Sequence, residues 1–147
     1  MILRMKNRSV PVDTVIPHLR YKNVLEAFAW LQRVFGFREE FRYGEPVSGM
    51  QVSLGGAYVM IGAIRAEPRE KPAFGREEHS LTVVLEDVAS HYAHSVREGA
   101  TIVEDLHETV YGELQYGVRD CDGYIWLFAQ HVRDLAPEDW GAKIPPR

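Results

Sequence analysis

The sequence is poor in cysteine, in clustered positive charge and in long apolar runs, and each shortage narrows what the chain can do. Its 147 residues include one cysteine, Cys121, so no internal disulfide can form and no cysteine cluster can hold zinc. Lysine and arginine total 17 against 21 acids, a formal net charge of −4. The few clustered positives, Arg4, Lys6 and Arg8, fall in a short leader, and no basic stripe is long enough to follow a phosphate backbone. Nucleic acid is therefore not an expected partner. No apolar stretch reaches the roughly 18 residues that a bilayer-spanning helix needs, and there is no signal-peptide core, so a cytoplasmic protein without a membrane partner is expected. No serine, cysteine or lysine stands in a nucleophile arrangement, and Cys121 has no evident base beside it.

What the chain does have is 46% hydrophobic content, enough for one core, arranged as two copies of one pattern. In the first copy, residues 14–21 alternate as a strand, and Asn23 caps a helix "VLEAFAWLQRVF". Its Val24, Ala27, Phe28, Leu31, Val34 and Phe35 recur at helical spacing up to Gly36. Strands "FREEFRY", "MQVSL" and "AYVMIGAI" follow, the last two joined at Gly55-Gly56. After the charged, proline-bearing "RAEPREKPAFGREE" the order repeats. Strand "HSLTVVLE" leads to a helix capped by Asp87, with Val88, Tyr92, Ser95 and Val96 on one face and Gly99 at its end. Strands "TIVEDLHE", "LQYGVRD" and "YIWLFAQH" complete it, the last two joined through Asp122-Gly123, a dipeptide favoured in type I′ turns. The fold class expected is α+β, two βαβββ modules sharing one core, because a module of about 50–60 residues is marginal alone. The divisions are a leader at 1–12, one domain at 13–132 (module one 13–64, linker 65–78, module two 79–132) and a tail at 133–147.

Two segments carry a resemblance to a known family. "PHLRYKNVLEAFAWLQRVFGF" resembles the first strand and Phe-Gly-terminated helix, and "YGELQYGVRDCDGYIW" the closing Asp-Pro-x-Gly motif, of the glyoxalase, bleomycin-resistance and dioxygenase superfamily, the vicinal oxygen chelate (VOC) fold. The likeness spans roughly residues 13 to 132 and is nearest to the PhnB-like and bleomycin-resistance-like branches; Cys121 replaces the usual proline. It implies curved mixed sheets around a concave pocket, helices on the convex side, and a homodimer. Metal-dependent relatives place one ligand on each of the first, fourth, fifth and eighth strands. Set on that pattern, this chain carries Ile16, Met60, Ser80 and Leu127, none of which is a competent ligand.

Strand parity then proposes the pocket. Val15, Pro17, Leu19 and Tyr21 face the helix and Ile16, His18 and Arg20 face inward; Tyr58, Met60 and Gly62, Ser80, Thr82 and Val84, and Ile125 and Leu127 also turn inward. The candidate lining is His18, Arg20, Tyr43, Tyr58, Met60, Ser80, Thr82, Tyr111, Tyr116 and Leu127. An inward Arg20 favours an anionic ligand. Trp30, Phe28, Phe35, Trp126 and Phe128 read as core, His91 and His94 as solvent-facing, and Glu39, Glu40, Glu104, Asp105, Glu108 and Glu113 as a solvated edge. The expected function is metal-independent binding or sequestration of a small-molecule ligand, without cofactor. Two alternatives stay open: a metal-dependent lyase, isomerase or dioxygenase built on His18, His79 and an acid, and a dimeric scaffold or regulatory protein. Trp140 anchors the tail to a partner subunit or to its own domain.

Overall fold

The computed structural model describes residues 15–64 and 79–146; the expected leader and linker lie outside them. The first module runs β1 (His18–Tyr21), α1 (Val24–Phe35), β2 (Arg38–Tyr43), β3 (Gly49–Leu54) and β4 (Ala57–Ala63). The second runs β5 (Ser80–Val84), α2 (Val88–Arg97), β6 (Thr101–Glu108), β7 (Glu113–Arg119) and β8 (Ile125–His131), followed by a single 3-10 turn at Pro137–Trp140. Each module is one four-stranded sheet, ordered β1-β4-β3-β2 and β5-β8-β7-β6, in which β1 and β5 pair parallel and the other neighbours antiparallel. The duplicated β-α-β-β-β order expected from the sequence is the order observed.

Local chemistry sets the helix ends. The Asn23 side chain accepts from the Glu26 amide at 3.0 Å, and Gly36, at φ 85°, donates to the Gln32 carbonyl to close α1. Its six apolar positions are all buried. Asp87 caps α2 by accepting from the Ser90 amide and hydroxyl, which hold its carboxyl below the usual range. The inner face of α2 departs from the expectation. Val96 is exposed, and the positions turned inward are Val88, His91, Tyr92 and Ser95. The physical reason is Tyr116, whose buried hydroxyl needs polar partners and finds His91 Nδ1 at 2.5 Å and Ser95 Oγ at 2.9 Å. His91 is thus a joint and not a solvent-facing residue, because its Nε2 also meets the Phe35 carbonyl at 2.7 Å. His94 similarly reaches the Arg33 carbonyl at 2.9 Å.

The two modules share one core. Phe35 packs edge-on against Trp126 and Phe128 at centroid distances of 5.7 and 4.9 Å, and Phe37 meets Trp126 at 5.3 Å. A second connection comes from the β7–β8 hairpin. Its turn is not the expected two-residue type I′: neither Cys121 nor Asp122 has positive φ, Gly123 alone does, at 95°, and its amide donates to the Asp120 carbonyl at 3.1 Å. The result is a three-residue loop, a type I turn closed by a left-handed glycine. Three alternate residues of this loop grip β1. Asp120 Oδ2 accepts from Tyr21 Oη at 2.6 Å and Trp126 Nε1 at 2.9 Å, and its Oδ1 from the amides of Asp122 and Tyr124 at 3.0 Å. Asp122 accepts from the Lys22 amide at 2.8 Å. The Tyr124 hydroxyl bonds both the amide and the carbonyl of Arg20, at 3.1 and 2.9 Å.

Replacing Asp120 with Ala would strand two buried donors, Tyr21 Oη and Trp126 Nε1, at a cost of about 2–4 kcal/mol in urea unfolding, and Asp120→Asn, which keeps an acceptor, would lose less. Burial holds the His91 imidazole below its ordinary value, as does the nearby His94, with the Phe35 carbonyl opposing. The unfolded chain then takes up this proton first as pH falls below about 6.5, so His91 contributes stability above that pH that is lost below it. Exposed His131 works the other way: Glu113 raises it, and its contribution is present at low pH and lost as pH rises. The unfolding midpoint of wild type minus that of His91→Gln should therefore shrink between about pH 7 and 5.

Candidate functional site

The helix-free faces of both sheets point to the same side, since α1 and α2 lie together on the other. In β1, Leu19 and Tyr21 belong to the core and His18 and Arg20 turn away from it; in β4 Val59 and Ile61 are core, and in β5 Leu81 and Val83. Cross-strand register arranges the helix-free face of the first module in rows: Tyr58 with Ser53, then His18, Met60, Gln51 and Phe41, then Arg20, Gly62, Gly49 and Tyr43. In the second module the rows are Ser80, Ile125 and Arg119, then Thr82, Leu127, Gly117 and Glu104, then Val84, Ala129, Gln115 and His107.

The β1 and β5 edges are not hydrogen-bonded to each other, and two cavities open along this seam. One, of about 210 Å³, is lined by His18, Leu19, His79, Ser80, Leu81, Tyr124 and Ile125. The other, of about 190 Å³, lies towards the start of β4 and includes Val15, Pro17, Tyr58, Thr82 and Trp126. Of the residues expected to line a pocket, His18 and Ser80 thus meet in one cavity, and Tyr58 and Thr82 in the other. Arg20, Met60 and Tyr43 share the helix-free face of the first module and line neither of these cavities. Leu127 lies on the second module's face, where Gly117 lets it approach: a Cβ there would sit 3.1 Å from Leu127 Cδ2 and 3.0 Å from Glu104 Cβ. Tyr111 stands at the far rim, donating to Gln115 Oε1 at 3.1 Å and meeting Trp140 edge-on at 5.8 Å, so the tail is anchored on its own domain. Tyr116 is on the opposite side altogether, fully buried beneath α2 beside Phe128. Its register partner is Phe128, and that pairing puts both on the core face.

Register shows what neighbours the positions that the resemblance assigns to metal ligands, Ile16, Met60, Ser80 and Leu127. Met60 lies beside His18, two residues beyond Ile16, and Leu127 lies beside Thr82, two beyond Ser80. The assigned set, Ile16, Met60, Ser80 and Leu127, is two aliphatic chains, a thioether and a neutral hydroxyl, which lacks the imidazole and carboxylate donors a divalent ion requires. Among the described residues no group of three or more His, Cys, Asp or Glu is placed to hold a metal ion. The acids read as a solvated edge are mostly paired. Glu39 binds Arg42, which lowers its pKa, and Glu40 accepts from Ser53 Oγ and Arg38, with the same effect. Glu108 pairs with Arg133 and Glu113 with His131. Glu104 accepts from Gln115 Nε2 at 3.1 Å and stands 3.2 Å from His107 Nε2.

Sequence reasoning missed Gln51. It is 2% exposed on β3, and among the described residues its Oε1 is the buried side-chain oxygen or nitrogen without a hydrogen-bond partner. The signal was a long polar residue inside the alternating run "MQVSL", flanked by Met50 and Val52, both of which are core.

Comparison with protein-family models matches residues 12–128 to the glyoxalase/bleomycin resistance protein/dioxygenase superfamily. Among solved structures, TioX from Micromonospora sp. ML1 is 30% identical, with a TM-score of 0.67 over 84% of this chain and 100% of that one. A glyoxalase/bleomycin resistance protein/dioxygenase from Alicyclobacillus acidocaldarius is 15% identical over 88% of this chain and 96% of its own, with a TM-score of 0.62. A glyoxalase-related enzyme from Fulvimarina pelagi is 16% identical over 80% and 87%, with a TM-score of 0.60. These two show likeness of fold alone. No curated protein matches the chain.

Cys121 is exposed in the hairpin turn, yet the atoms packed around its sulfur, and after them the Asp120 and Asp122 carboxylates, push the thiol up to about 12. At neutral pH it should react with iodoacetamide about tenfold or more slowly than a free thiol, and unfolding in urea should restore the ordinary rate.

Proposed function

The chain belongs to the glyoxalase/bleomycin resistance protein/dioxygenase superfamily, and from that premise we propose that it is a metal-independent small-molecule-binding protein that holds or sequesters a ligand on its concave, helix-free face. The observation that carries the reading is the identity of the four strand positions that the resemblance assigns to ligands in metal-dependent members: Ile16, Met60, Ser80 and Leu127 offer two aliphatic chains, a thioether and a hydroxyl, and not a donor set. The proposed lining is His18, Tyr58, Ser80 and Thr82 along the seam, with Arg20, Met60 and Tyr43 on the first module and Leu127 on the second. Tyr111 is at the rim, and Tyr116 is omitted because its hydroxyl serves the core. Kinship with the PhnB-like and bleomycin-resistance-like branches, a cytoplasmic location and a homodimer are parts of the same reading. Among the described residues no helix is long and apolar enough to cross a membrane.

One observation favours a second reading. His18 and His79 line the same seam cavity, and two imidazoles could begin an atypical metal site. Binding to the native state alone separates the two. A metal at about 100 times its Kd would add about 2.7 kcal/mol to stability. We expect excess zinc, nickel or manganese to leave the unfolding midpoint unchanged, and protein prepared without chelators to hold less than stoichiometric metal by elemental analysis. A stoichiometric ion lost on His18→Ala would establish the metal-dependent reading instead.

A further inference from the structure

The helix-free face of the first module narrows the chemistry of the ligand, and this inference rests on the reading of that face as a binding site. In the row Arg20, Gly62, Gly49, Tyr43, the two middle positions have no side chain. Neither glycine has positive φ, so space, not backbone strain, is what these glycines provide. The Arg20 guanidinium lies down on Gly62, its Nη1 2.5 Å from where a Cβ would be, and the Tyr43 ring covers Gly49. Among the described residues the guanidinium donates to the Ala63 carbonyl, at 3.4 Å, and to no carboxylate. In the adjacent row stands Gln51, buried, with its Oε1 unserved. The matching position on β7 is Gly117, and the glutamine in the next row of that strand is engaged, since Gln115 donates to Glu104 and accepts from Tyr111. A buried acceptor without a donor costs stability until something supplies one, and a site built this way rejects ligands that cannot.

The face therefore offers a cation over Gly62 and a buried acceptor at Gln51. Gly62 and Gln51 are diagonal neighbours on adjacent strands, about 7–8 Å apart, with flat or flexible walls from Tyr43, Phe41 and Met60. We infer that the first module binds a planar aromatic carboxylate carrying an O–H or N–H donor at its far end. The carboxylate meets Arg20, the donor meets Gln51 Oε1, and the ring lies beside Tyr43. Arginine suits the head group because its planar fork can make paired bonds to a carboxylate.

The test uses the full chain and three probes in calorimetric titration: para-hydroxybenzoate, benzoate without the donor, and para-hydroxybenzamide without the charge. Para-hydroxybenzoate should bind about tenfold or more tightly than either analogue. Arg20→Gln should abolish the preference for the charged head, Gln51→Met the preference for the hydroxyl, and Gly62→Ala should weaken binding by displacing the guanidinium without removing it. Gln51→Met should also unfold at no lower urea concentration than wild type, because it removes an acceptor that nothing in the fold uses. Loss of stability in Gln51→Met, or affinity that Arg20→Gln and Gln51→Met leave unchanged, overturns the inference. Failure of para-hydroxybenzoate while the neutral dye Nile red binds, with its binding weakened by Thr82→Trp at the seam, overturns the inference and leaves the small-molecule reading standing. If neither binds, both fail.

Discussion

The Asp120 carboxylate is the constraint on which the relation between the two modules depends. It is buried at the head of the β7–β8 hairpin and accepts four hydrogen bonds, two from its own loop, one from Trp126 and one from Tyr21 in the other module. A carboxylate taken out of water must be served on both oxygens, and here the loop amides serve one oxygen while the side chains serve the other. One residue thereby shapes the turn and ties it to β1. Proximity to this carboxylate, after burial, is also what raises the Tyr21 hydroxyl far above its ordinary range.

The hairpin matters for the candidate site because of what it grips. Tyr124 serves the amide and carbonyl of Arg20, backbone groups on a strand edge with no neighbouring strand, and Asp122 serves the Lys22 amide just after β1. The residue whose guanidinium is offered to a ligand in the first module is held in place by a turn of the second. The edges of β1 and β5 stay unpaired beside it, and that gap is the source of both seam cavities.

The modules share a plan but not their finish. In the second, Gly117 allows Leu127 and Glu104 to close over the sheet, and Gln115 is satisfied by neighbours. In the first, Gly62 and Gly49 are covered by Arg20 and Tyr43, and Gln51 is left waiting. The unserved acceptor thus falls on the first module, while the second contributes the joint through which Tyr116 and His91 reach Phe35.

Periodicity, caps and glycines determined the elements: α1 from Val24 to Phe35, its cap Asn23 and the duplicated order were legible because each depends on residues a few positions apart. Strand parity was legible for the same reason, and it correctly divided His18 and Arg20 from Leu19 and Tyr21. Tertiary structure alone decided everything that depends on partners distant in sequence. The inward turn of His91 answers a hydroxyl 25 residues away, Tyr116 followed Phe128 into the core, and the grip of Asp120 on Tyr21 spans 99 residues. The register that sets His18 beside Met60 and the unserved oxygen of Gln51 are likewise properties of assembled strands. Hydrogen bonding is satisfied or left wanting by neighbours in space, and a linear pattern records which groups need partners without saying which will arrive.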